Sequence, residues 1–138
     1  MRLLYPVFIV CLWTDFLFAQ GIETCWSELK NDTLIIENQW IARKYFWNNG
    51  NIISRSLTDK VAGKVWQINA TKPDLAFPGQ SEKGENAQFF SKIVAETAVT
   101  SPHLEVEITY RLEKLEVKRV FRLYSNCAVI ACDLYYRG

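Results

Sequence analysis

The sequence predicts an all-β protein, an antiparallel β-sandwich, and three observations carry that prediction. Apolar and polar residues alternate over short runs, most clearly in "HLEVEITYRL" (103–112). There Leu104, Val106, Ile108, Tyr110 and Leu112 fall on one face, and Glu105, Glu107, Thr109 and Arg111 on the other. Turn chemistry separates the runs, with Asn49-Gly50 the strongest short-range hairpin signal. No stretch holds the 3.6-residue period of a helix.

The chain opens on "MRLLYPVFIVCLWTDFLFAQG", with cationic Arg2, an apolar run over 3–13 interrupted by Pro6, then Asp15 and the small residues Ala19 and Gly21. That order predicts a signal peptide over residues 1–19, cleaved after Ala19 or Gly21. A spanning helix needs roughly 20 uninterrupted apolar residues, so no stable membrane anchor is expected. The expected location is secreted or periplasmic, with one β-sandwich domain over 20–138. Strands are predicted at "TLIIEN" (33–38), "WIARKYFW" (40–47), "IISRSL" (52–57), "KVWQI" (64–68) and "AQFFSKIVAETAVT" (87–100). "HLEVEITYRL" (103–112), "LEVKRVFRLY" (115–124) and "AVIACDLYYR" (128–137) follow. The segment "NATKPDLAFPGQSEKGEN", rich in Pro, Gly and charge, reads as an exposed connection whose "AFP" dips toward the core.

Registers follow from the turns. With Glu113-Lys114 as a two-residue turn, Leu112 opposes Leu115, Tyr110 opposes Val117 and Val106 opposes Phe121. The polar face then matches Arg111 with Glu116 and Glu105 with Arg122. With Asn49-Gly50 as a turn, Tyr45 opposes Ser54, Trp47 opposes Ile52, and Phe46 and Trp47 lie on opposite faces. A three-residue loop at 125–127 would set Leu123 against Val129, Phe121 against Ala131 and Arg119 against Asp133. That predicts a structural ion pair, Arg119 with Asp133, on an otherwise apolar face, where an unpaired charge costs several kcal/mol.

A formal charge of +1 gives the 138-residue chain no electrostatic reason to seek nucleic acid or an anionic membrane. Beyond the signal segment stand Cys25, Cys127 and Cys132. The last two flank "AVIA", which when extended separates them by ~16 Å, too far for a disulfide. Buried thiols are the ordinary expectation, and a bridge from Cys25 to one of the others is the rival. No CxxC occurs and His103 is the only histidine, so neither a metal nor a cofactor is called for. Nucleophilic catalysis has only the pairing of Cys127 with His103 to offer. The acids lie mostly on polar strand faces or in loops, where solvation explains them. Asn31 and Asn69 fit the N-glycosylation pattern. Among the tryptophans, Trp47 and Trp66 are the candidates for stacking on a sugar ring, with core packing as the competing role.

The segments "NDTLIIENQWIARKYFWNNGNIISRSLTDKVAGKVW", "KPDLAFPGQ" and "SPHLEVEITYRLEKLEVKRVFRLYSNCAVIACDLYYRG" resemble the amino-terminal β-sandwich region of secreted bacterial melibiase-type α-galactosidases, glycoside hydrolase family 36. The resemblance covers nearly everything after the signal segment and rests on strand and turn pattern. In that family the sandwich precedes a (β/α)8 barrel that carries both catalytic aspartates. It implies an incomplete supersandwich truncated at its C-terminal end, without catalytic residues of its own, whose partners are the missing barrel and an α-galactoside carbohydrate. The rival from another class is a free-standing carbohydrate-binding or adhesive β-module.

Overall fold

The computed structural model describes residues 22–138, so the signal-peptide expectation for residues 1–19 lies outside the described part. The chain reverses where residues tolerate positive φ. Asn31 (48°) and Asp32 (56°) turn β1 (Trp26–Lys30) into β2 (Thr33–Glu37). Asn49 (50°) and Gly50 (91°) lie between β3 (Ile41–Phe46) and β4 (Ile53–Asp59), matching the backbone that a two-residue hairpin turn demands. Strand β1 is absent from the sequence prediction, although Asn-Asp between "WSELK" and "TLIIE" is its signal. The sheet ends with β5 (Lys64–Gln67), giving the order β1-β2-β3-β4-β5.

The second sheet contains β6 (Glu85–Val94), β7 (His103–Leu112), β8 (Leu115–Leu123) and β9 (Ile130–Arg137) in chain order. Every pairing in both sheets is antiparallel. No α-helix occurs among the described residues, and the two sheets form the predicted all-β sandwich. Their facing sides bury Leu34, Ile36, Tyr45 and Ile52 from the first sheet against Val106, Ile108, Tyr110, Leu112, Val117, Phe121 and Leu123 from the second. The Tyr45 and Phe121 rings meet at 5.8 Å across the interface. Burial pushes the phenol of Tyr110 up to about 12, and that of Tyr45 rises for the same reason.

Two buried asparagines tie the sheets together. Asn38 accepts from the backbone N–H groups of Trp40 and Ile41, and its Nδ2 donates to the carbonyls of Tyr124 (2.7 Å) and Cys127 (2.8 Å). Asn51 Nδ2 donates to the carbonyls of Leu75 (3.1 Å) and Glu82 (2.9 Å), while its Oδ1 accepts from the Tyr110 hydroxyl (3.2 Å). Each satisfies buried backbone acceptors that would otherwise cost about 1–3 kcal/mol. The connection at 68–84 does return to the core, through Leu75 and Phe77. Gly84 passes so close to the Asn49 turn that a Cβ would stand 1.9 Å from the Asn49 carbonyl oxygen.

Most expected registers are present: Leu112 with Leu115, Tyr110 with Val117, Val106 with Phe121, Arg111 with Glu116, Glu105 with Arg122, and Tyr45 with Ser54. The β8–β9 register differs by one residue. Leu123 opposes Ile130, Phe121 opposes Cys132, Arg119 opposes Leu134, and Asp133 opposes Val120. The connection between the strands is residues 124–129, an even-length loop. It is held by Asn38, by the Gln39 side chain (3.1 Å to Ser125 O) and by Trp40 Nε1 (2.9 Å to Ser125 O). The expected Arg119–Asp133 pair therefore gives way to a salt bridge between Asp133 and Arg122 on the outer face.

Arg119 stays inside, 7% exposed, with its guanidinium 5.1 Å from the Phe121 ring centre. Its Nη2 lies 4.0 Å from Cys132 Sγ, while Nε and Nη1 have no hydrogen-bond partner among the described residues. The cysteines fit the expectation of buried thiols only in part. All three described cysteines are free thiols, with Cys25 buried, Cys127 partly buried and Cys132 exposed.

Candidate functional site

The strand pattern that fills the core leaves an outer face on the four-stranded sheet, and the registers arrange it in rows. One row runs Gln88, Thr109, Lys118, Tyr135 across all four strands. The next runs Phe90, Glu107, Val120, Asp133. Toward the β7–β8 turn, Arg111, Glu116 and Arg137 stand side by side. A groove of about 540 Å³ lies over the first and last of these rows, and reaches Tyr110, Val117 and Tyr136. A shallower one of about 360 Å³ is lined by Glu105, Glu107, Lys118, Val120, Arg122 and Tyr135. Tyr135 borders both.

Tyr135 is 52% exposed and Phe90 58%, so two aromatic side chains stand on a sheet face that is mostly charged or hydrogen-bonding. Edge position explains the exposure: among the described residues β6 and β9 are the outermost strands of their sheet, each with a neighbour on one side only. Four acids of this face, Glu105, Glu107, Glu116 and Asp133, are met by cations. Glu107 takes Lys118 at 2.5 Å, Glu105 takes Lys92 at 3.1 Å and Arg122 at 3.6 Å, and Glu116 takes Arg137 Nε at 2.6 Å. Asp133 hydrogen-bonds Arg122, and that bond raises the Arg122 pKa. Exposed pairs of this kind contribute at most about 1 kcal/mol each and are screened by salt.

The residues singled out from sequence stand elsewhere. Trp47 faces inward, packed on the core with its ring edge-on to Phe89 at 6.5 Å, and serves the interior. Phe46 lies on the opposite, outer side, 36% exposed beneath the Arg55 guanidinium. Trp66 is 41% exposed on edge strand β5, its ring 4.8 Å from Lys64 Nζ, and it borders neither groove. The asparagines beside the aromatic cluster are engaged in the fold: Asn48 Nδ2 donates to Glu82 O (3.0 Å), and Asn51 is fully buried. His103 is also buried, with Nδ1 2.9 Å from Ser101 O and its ring against Tyr124 at 5.2 Å.

Tyr135, which lines both grooves, was not singled out from the sequence. The signal was available in "DLYYR", where consecutive tyrosines of an edge strand must point to opposite faces, so that one of them stands outside. No group of three or more His, Cys, Asp or Glu side chains among the described residues is arranged to hold a metal ion. In comparisons with known proteins, no family model, no curated protein and no solved structure matches this chain.

Proposed function

We propose that this chain is a non-catalytic, carbohydrate-directed β-sandwich, an accessory domain of the kind that precedes the catalytic barrel in family 36 α-galactosidases, working outside the cytoplasm. The observation that carries the reading is the groove around Tyr135. An exposed aromatic ring there shares a cross-strand row with Gln88, Thr109 and Lys118, which places hydrogen-bonding groups beside an apolar platform. A pyranose ring presents the same combination, apolar C–H groups on one face and hydroxyls at its rim. The aromatic face supplies apolar contact, and Gln, Thr and Lys supply hydrogen bonds that orient the ring.

The test is calorimetric titration of the chain with α-galactosides such as melibiose and galactomannan fragments. Binding is expected without hydrolysis, and Tyr135→Ala should weaken it about tenfold while circular dichroism stays unchanged. Trp47→Ala should instead lower stability. Affinity unaffected by Tyr135→Ala would remove the groove from the reading, and turnover of an aryl α-galactoside by pure protein would remove the non-catalytic assignment.

A further inference from the structure

We propose that β9 is a self-complementary edge through which two copies of this chain pair antiparallel, joining their four-stranded sheets into one of eight strands about a two-fold axis at Tyr135. The edge is open: β9 pairs with β8 on one side and with no described strand on the other. Natural edge strands are blunted by proline, by charged side chains (lysine above all), by bulges or by very short length. Over Ile130–Arg137 there is no proline, no lysine and no shift in the register with β8, and the two charges present, Asp133 and Arg137, are of opposite sign. Instead Leu134, Tyr135 and Tyr136 are 38%, 52% and 64% exposed in succession.

Charge complementarity identifies the second copy as the occupant and fixes the register. Directly opposed residues of an antiparallel pair share a face, so each two-fold pairing of β9 with itself is centred on one residue. Centring on Asp133 would oppose two carboxylates, and centring on Arg137 two guanidinium groups. Centring on Tyr135 sets Arg137 against the partner's Asp133, and Asp133 against the partner's Arg137. The charges already lie in order on each copy: Arg111 opposes Glu116, Glu116 opposes and bonds Arg137, and Arg122 bonds both Asp133 and Glu105. Through the axis the row becomes Arg111, Glu116, Arg137, the partner's Asp133, and then the partner's Val120 and the partner's Glu107. Signs alternate over the first four positions, which is the arrangement cross-strand pairing favours. On the inner side Leu134 meets the partner's Tyr136, covering apolar surface that each copy alone exposes. The pairing is independent of any carbohydrate, although it would bring the two outer grooves together at the axis.

Sedimentation velocity tests the proposal. The wild-type chain should show a reversible monomer–dimer equilibrium in the micromolar range. Asp133→Arg and Arg137→Asp should each weaken it at least about tenfold, since each places like charges opposite one another. Mixing the two variants in equal amounts should restore a heterodimer, because position 133 of one then meets the opposite charge at position 137 of the other. A second measurement does not depend on those variants folding. Tyr135→Cys in a Cys132→Ser background should form a covalent dimer on mild oxidation, the axial Cα atoms lying about 5 Å apart. Lys118→Cys in the same background should not. A wild-type chain that stays monomeric, no recovery on mixing the folded variants, or no preferential cross-link at position 135 would overturn the proposal.

Discussion

The β7–β8 and β8–β9 pairs share a strand, yet one is closed on every side and the other is open. Between β7 and β8 a two-residue turn, with Glu113 at a φ of 48°, fixes the register, and the inner face from Leu104 to Leu112 is buried at each alternate position. Between β8 and β9 a six-residue connection separates the strands, and β9 has no described strand on its other side. Register is therefore imposed locally in the first pair. In the second it is imposed by Asn38, Gln39 and Trp40, which reach across from the other sheet to hold the loop.

The largest expected contrast between the two regions is the response to truncation. Ile108 is fully buried in β7, so Ile108→Ala should cost about 2–5 kcal/mol through lost burial and the cavity left behind. Leu134 in β9 is 38% exposed, and Leu134→Ala should cost under about 1 kcal/mol in the monomer. Urea denaturation at low protein concentration measures both. Equal costs would mean that β9 is as well covered as β7.

Arg119 sharpens the comparison, because it lies where the closed and open regions meet. It is 7% exposed, opposes Leu134, and leaves Nε and Nη1 without hydrogen bonds among the described residues. Its contacts with the Phe121 ring and Cys132 Sγ offset only part of the desolvation of a guanidinium. Arg119→Met keeps the length and removes the charge, and should raise stability by about 1–4 kcal/mol, seen as a higher urea midpoint at unchanged slope. A loss of stability would show that the guanidinium has a strong partner in the folded protein.

The same contrast explains what could be read from the amino acids. The sandwich class, the β7–β8 register and the return of Phe77 to the core follow from alternation and turn residues within a few positions of each element, whereas Leu75, which returns beside it, was not read from the sequence. The Asn48–Asn51 turn was recognisable as a turn. Its grip on Glu82 and Leu75 was not, because those partners lie in a connection whose path is set by the packed sheets. The β8–β9 register depends on Asn38, 86 positions before the Tyr124 carbonyl that it holds. Trp47 and Trp66 drew attention by residue type, whereas the row of Gln88, Thr109 and Lys118 is completed by Tyr135 and not by Tyr136, although both border the groove. That parity is fixed by the same one-residue register.

The smallest expected effect is at Asp133, and it separates the two registers most directly. An interior pair between Arg119 and Asp133 would make Asp133→Ala cost several kcal/mol, since a buried guanidinium would lose its only counter-charge. In the observed register Asp133 lies on the outer face, its side chain 45% exposed, paired with an Arg122 that also reaches Glu105 at 3.6 Å. Removing the carboxylate leaves Arg122 with a second acid and with water. Asp133→Ala should therefore cost under about 1 kcal/mol, and less still at high salt, where exposed charges are screened. Urea midpoints of variant and wild type, at low and high ionic strength and at concentrations where the chain is monomeric, give the answer. A salt-insensitive loss of several kcal/mol would place Asp133 inside against Arg119 and require an odd-length loop between β8 and β9.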